Sequence, residues 1–201
     1  MHLASAMAAP IFLPGAPGHP GRQISAVESL ALARTSIGSD DVKFVRDMIH
    51  HHSQAILMVE LLQTRTARTE MRLLGRRIGM SQASEIDLMR SWLAQQHENT
   101  EGHEGHSLGH ALMAGMLSGL QMSQLASSTG VESDRLFLTG MIQHHKGALQ
   151  MVRELTSKPG TAEDAALSDL VANIVADQTA EIQRMNELLQ EFGADDPSKT
   201  L

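Results

Sequence analysis

Met48-Ile49-His50-His51-His52-Ser53-Gln54-Ala55-Ile56-Leu57-Met58-Val59 returns 93 positions later as Met141-Ile142-Gln143-His144-His145-Lys146-Gly147-Ala148-Leu149-Gln150-Met151-Val152. Around the first copy, Phe44, Val45, Met48, Ala55, Val59 and Leu62 recur at helical spacing, which predicts a long helix from Ser39 to about Thr64. Ser39-Asp40-Asp41 supplies its cap. Around the second copy, Phe137, Leu138, Met141, Ala148, Val152 and Leu155 predict another from about Glu132 to Ser157, stopped by Lys158-Pro159-Gly160.

Each of these helices is followed by a second that repeats as well. Gln82-Ala83-Ser84-Glu85-Ile86-Asp87-Leu88-Met89 matches Gln178-Thr179-Ala180-Glu181-Ile182-Gln183-Arg184-Met185, offset by 96. The first lies in a helix expected from about Ala67 to Gln96, with Leu74, Ile78, Ile86, Met89 and Leu93 inward. Gly75 and Gly79 either weaken it or mark close helix contact. The second lies in a helix opened by Thr161 and Asp164 and ended near Phe192 by Gly193. The chain therefore reads as all-α, a single four-helix bundle built from a duplicated helical hairpin over residues 38–192. Repeat 1 spans 38–97, a His-rich linker 98–117, and repeat 2 118–192, with a short helix at Ser118 to Ser128. Residues 1–37 form a Pro/Gly-rich arm with a short helix capped by Ser25 and Glu28. Residues 193–201 are a tail, and no segment reads as a strand.

Bulk properties narrow the partners. Of 201 residues only 2% are aromatic, so the core must be aliphatic side chains and methionine, which suits helix packing. Net charge is −7 without a basic patch, which argues against nucleic acid. The absence of cysteine excludes disulfides and thiolate chemistry. No apolar run reaches a membrane span, and Met1 to Leu13 is not a readable signal peptide. Self-association into a homo-oligomer is compatible with all of this.

The helical phase places the chemistry. At about 100° per residue, His51 and His52 flank the apolar stripe of their helix, and His144 and His145 flank theirs. His50 and its repeat equivalent Gln143 point outward. Gln82, Glu85 and Met89 share the inward face of the second helix, as do Gln178, Glu181 and Met185 on the fourth. So many polar groups buried unpaired would cost several kcal/mol, roughly. They must bond one another, water or a metal.

Imidazole suits copper, zinc, iron and nickel, and thioether adds a preference for Cu(I). Met48 lies four residues before His52, and Met141 four before His145. His51 and Met58 are seven apart and nearly aligned, as are His144 and Met151. Histidine and methionine without cysteine favour copper; zinc and iron stay open. Each group also has a plainer reading. A buried histidine often just bonds a neighbouring Glu or carbonyl, methionine fills irregular core gaps, and the Gln–Glu pairs serve equally well to orient imidazoles. A second cluster, His97, His103, His106, His110, Met113 and Met116, reads either as a weak metal-capturing linker or as a solvated one. A di-iron carboxylate site is argued against, because Glu-x-x-His is missing at the right places.

The doubled Met-Ile-x-His-His-x-x-Ala-x-x-Met, each copy followed by Gln-x-x-Glu-Ile-x-x-Met, resembles the bacterial family called domain of unknown function 305. The resemblance covers about residues 38 to 192. It implies a ferritin-like architecture, a periplasmic or extracellular location and an association with copper. Carried over by position, it implies His51, His52, His144 and His145, with Met48 and Met141, as ligands. Three functions follow as expectations. The leading one is non-enzymatic copper buffering, transport or tolerance outside the cytoplasm. The others are a metal-dependent redox enzyme using the same interior, and a metal-free interaction scaffold with a pH-sensitive histidine core.

Overall fold

The structure, a computed structural model, describes residues 10–13, 20–33, 37–99 and 112–194. The chain divides into two units between Ser36 and Ile37.

The first unit corrects one expectation. Strand β1 (Ile11–Leu13) pairs antiparallel with β2 (Arg22–Ile24), Ile11 opposite Ile24 and Leu13 opposite Arg22. Three-residue strands flanked by Pro and Gly are too short to show an alternating pattern. Helix α1 (Ala26–Ala33) follows, and the Ser25 hydroxyl accepts from Glu28 N–H at 3.0 Å, as the capping spacing predicts.

The second unit is the bundle. Its long helices are α2 (Ser39–Arg65), α3 (Thr69–Gln95), α5 (Gly130–Thr156) and α6 (Ala165–Ala194), with short α4 (Gly119–Ser127) before α5. Helix α2 packs on α3 and α5, and α6 on α5 and α3, which closes a four-sided bundle. All the inward stripe residues expected from periodicity are buried. Close contact, not weakness, explains Gly75 and Gly79. A Cβ at Gly75 would lie 2.9 Å from the Leu62 side chain, and one at Gly79 3.2 Å from Val59.

The helix ends depart from the expected caps. Ser39 is the first helical residue, and the Asp41 carboxylate turns back to accept from Gly38 N–H at 3.3 Å. Asp164, not Thr161, caps α6. Its Oδ1 accepts from Leu167 N–H at 3.0 Å and from the indole of Trp92 at 2.8 Å. The Thr161 hydroxyl instead donates to Leu155 O and Lys158 O, closing the end of α5. Helix α6 runs on through Gly193 to Ala194, two residues past the expected stop.

The core falls into two apolar clusters at opposite ends of the bundle. One gathers Met48, Met89, Met151 and Ile174; the other gathers Met58, Ile78, Met141 and Met185. On every long helix, the buried side chains between the two clusters are polar: His51 and His52, Gln82 and Glu85, His144 and His145, Gln178 and Glu181. The fold thus stacks a polar layer between two greasy halves.

Candidate functional site

Four imidazoles fill the middle of that layer, and His51, His52, His144 and His145 are all 0% exposed. His50 and Gln143 are exposed, as the helical phase requires. The two adjacent pairs have matching geometry. Ring centroids are 6.3 Å apart and tilted by 54° for His51–His52, and 6.2 Å and 55° for His144–His145. The pairs meet through His51 and His144, whose centroids approach to 3.8 Å.

Each ring is held by its Nε2. His51 Nε2 donates to Ala114 O and His144 Nε2 to His51 O, both at 2.9 Å. A carbonyl oxygen can only accept, so both rings carry their proton on Nε2 and present Nδ1 as a bare lone pair. His52 Nε2 lies 2.6 Å from Glu85 Oε2, and His145 Nε2 2.7 Å from Glu181 Oε2. All four Nδ1 atoms are buried and without a hydrogen-bond partner among the described residues. Glu85 Oε1, Gln82 Oε1 and both amide atoms of Gln178 are orphaned too. Buried polar atoms are nearly always bonded, so this cluster of orphans is the unusual feature of the bundle interior.

The electrostatics follow from burial. Desolvation lowers His51 to about 4, and neighbouring His52, His145 and His50 add to it, opposed by the Ala114 carbonyl. Desolvation, then His145, lowers His52 to about 3. His144 falls well below the ordinary value for the same first reason, with His51 next. At neutral pH His51, His52 and His144 are therefore uncharged imidazole, the form that binds metals. Burial raises Glu85 to about 7, helped by the negative charges of Asp177 and Glu181. Above that value the carboxylate accepts from His52 Nε2–H and Nδ1 is a lone pair. Below it the protonated carboxyl donates to Nε2, and the ring proton sits on Nδ1.

The expected thioethers flank the layer rather than mix with it. Met48, Met58, Met89, Met141 and Met185 are fully buried and Met151 nearly so. Met48, Met89 and Met151 sit on one side and Met58, Met141 and Met185 on the other. Among the described residues, no group of three or more His, Asp or Glu is arranged to hold a metal ion by itself. An ion held here would draw on imidazole together with thioether, or would turn rings toward itself.

Of the connection's second cluster, His103, His106 and His110 lie outside the described residues, and His97 is exposed. Its last part is not a free linker. Residues 112–118 form a strap on the bundle, with Met113 packed on the first apolar cluster and Met116 buried. The strap supplies the Ala114 carbonyl that holds His51, a contact with no counterpart in the periodicity of the sequence. Beside it runs an open groove of about 570 Å³ along α5, lined by Gln143, Lys146 and Gln150 among others, none of them a candidate ligand. No described helix is long and apolar enough to cross a membrane.

A family model described as domain of unknown function (DUF305) matches residues 41–189. No curated protein matches the chain. Solved structures do. A protein of this family from Streptomyces coelicolor, described as secreted, is 27% identical with a TM-score of 0.68, covering 78% of this chain and 96% of that one. A DUF305 fragment from Deinococcus radiodurans is 29% identical with a TM-score of 0.67, covering 77% and 98%. CopM in its Cu(II)-bound form is 29% identical with a TM-score of 0.63, covering 76% and 97%. CopM structures with Cu(I) and with silver also match.

Proposed function

The chain belongs to the family described as domain of unknown function (DUF305), and from the imidazole layer inside its bundle we propose that it is a metal-binding protein whose cargo is copper. One observation carries this reading. Four buried imidazoles are gripped at Nε2 while their Nδ1 atoms have no partner among the described residues. That is the arrangement of metal-ligating histidine, whose second ring nitrogen donates to a carbonyl or carboxylate.

His51, His52, His144 and His145 would be the nitrogen donors. Met48, Met58, Met141 and Met151 would be the thioether donors nearest in sequence, with Met89 and Met185 behind them. Glu85 and Glu181 would orient His52 and His145, and Gln82 and Gln178 would serve the rim of the layer. Thioether with imidazole and without thiolate selects copper over zinc, most strongly as Cu(I). The copper- and silver-bound CopM structures support the same choice of a soft ion. We read the role as buffering, transport or tolerance rather than catalysis, in a compartment outside the cytoplasm; the relative described as secreted supports that location.

Titration of the metal-free protein with Cu(I), Cu(II) and Zn(II) tests this. Copper should bind most tightly, and binding should vanish when all four histidines are replaced by alanine. A quadruple variant that binds copper as well as the parent overturns the assignment. The lowered values of His51, His52 and His144 also favour a second reading, a metal-free core that responds to acid. Melting that changes strongly with pH but not at all with copper would select it.

A further inference from the structure

We propose that the strap, fixed to the bundle by Gln54 and Gly147, sets the ring of His51 for metal binding, so that these two residues position a ligand they never touch. The inference rests on the copper reading above and concerns how the His51 site is made.

Gln54 and Gly147 occupy the same place in the two sequence copies, 93 positions apart, where the copies differ. Both differences serve the strap. The Gln54 amide brackets one residue of it, donating to Leu117 O at 2.9 Å and accepting from Leu117 N–H at 2.7 Å. Gly147 makes room for another. A Cβ there would stand 1.9 Å from Ala114 O and 2.5 Å from Gly115 Cα. The fit is reciprocal, since a Cβ on Gly115, whose φ is +77°, would meet Gln143 O at 2.5 Å and Gly147 Cα at 2.6 Å. Two backbones therefore lie against each other with no side chain to give way. Gly140 completes the seat, because a Cβ there would strike Leu117 Cδ2 at 2.9 Å.

This seating puts Ala114 O on His51 Nε2. The other ring of the central pair is held without the strap, since His144 donates to His51 O on α2 itself. The two halves are thus inequivalent at their centre. One imidazole is set by the bundle, the other by the strap. With the carbonyl gone, His51 loses the acceptor that keeps its proton on Nε2, and Nδ1 is no longer reserved as a lone pair.

The test uses full-length Gly147→Ala and Gln54→Ala with ¹⁵N-labelled histidine. In the metal-free parent, His51 and His144 should both show the Nε2–H tautomer. In each variant His51 should shift toward a mixture while His144 keeps its signal. Cu(I) affinity, read by competition with a chromophoric chelator, should fall about 10-fold or more, the usual effect of removing an orienting partner. Gln54→Ala introduces no clash, so it decides the matter if Gly147→Ala does not fold. An unchanged His51 tautomer in Gln54→Ala overturns the proposal. So does a changed tautomer with copper affinity equal to the parent's. A parent that binds no copper defeats the assignment of copper as cargo, and the metal-free tautomers still decide whether the strap sets His51.

Discussion

Gln178 is the side chain with least reason to be where it is. It is 1% exposed, and both its amide atoms lack partners among the described residues. An unbonded buried amide costs about 1–3 kcal/mol, and replacing it by an apolar group of similar size removes that cost. Gln178→Leu should therefore raise the stability of the metal-free protein by about 1 kcal/mol, read as a higher urea midpoint at unchanged slope. A lower midpoint would show that the amide is already bonded. Glu85 and Glu181 behave differently, because each grips an imidazole. Glu85→Ala and Glu181→Ala should each lower Cu(I) affinity by about 10-fold or more, since a ring free to turn gives up its aim. Equal affinity in both variants would reduce the carboxylates to spectators.

Between elements, one residue position is used twice with unequal results. Asp41 on α2 and Asp134 on α5 stand 93 residues apart and are both buried. Asp41 reaches the turn between α5 and α6, accepting from Ala162 N–H at 2.9 Å, and also accepts from Gly38 N–H. Ala162 has φ of +53°, an uncommon conformation for alanine that this bond helps to hold. Asp134 reaches the turn between α2 and α3, where Thr66 and, at 3.7 Å, Arg68 Nε face it, but its carboxylate oxygens have no close hydrogen-bond partner among the described residues. Burial raises its pKa, opposed by Thr66 and Arg68. Asp41→Ala should destabilise by about 1–2 kcal/mol and Asp134→Ala by clearly less, compared by denaturant unfolding. The reverse order would contradict the bonding seen here. The contrast also shows what sequence reading reaches. Inward stripes such as Phe44 to Leu62 were legible because helical burial repeats every three to four residues. So was the inward aim of His51, His52, His144 and His145. At the start of α6 the sequence offers Thr161 and Asp164 together, both of capping type, and only geometry shows that Asp164 alone makes the cap. The strap was illegible because it acts through the Ala114 carbonyl and the missing side chain of Gly147, and neither leaves a periodic trace. Gln54 opposite Gly147 was the available signal: a mismatch inside an otherwise matched repeat.

Across the whole molecule, the polar layer couples stability to acidity. His51 at about 4, His52 at about 3 and His144 with a lowered value all bind protons less readily folded than unfolded. Their contribution is complete above the unfolded value of about 6.5 and is lost as pH falls toward their folded values. Glu85 acts in the opposite sense. Raised to about 7, it stabilises the fold below the unfolded carboxylate value, and that contribution is lost as pH rises through 7. Three imidazoles outweigh one carboxyl, so the unfolded chain takes up the net excess of protons between about pH 6.5 and 4.5. Each net proton changes stability by about 1.4 kcal/mol per pH unit. The other charges near the layer modify but do not reverse this: Asp177 and Glu181 act on Glu85, and His50 on His51. Metal-free protein should accordingly lose urea resistance steeply from pH 6.5 to 4.5, and the four-histidine alanine variant should show a much flatter profile over the same range. Copper should oppose the loss, because a bound ion and a proton compete for the same Nδ1 lone pairs. A parent profile as flat as the variant's would mean that His51, His52 and His144 are already charged or already exposed, and their assignment as neutral buried imidazoles could not stand.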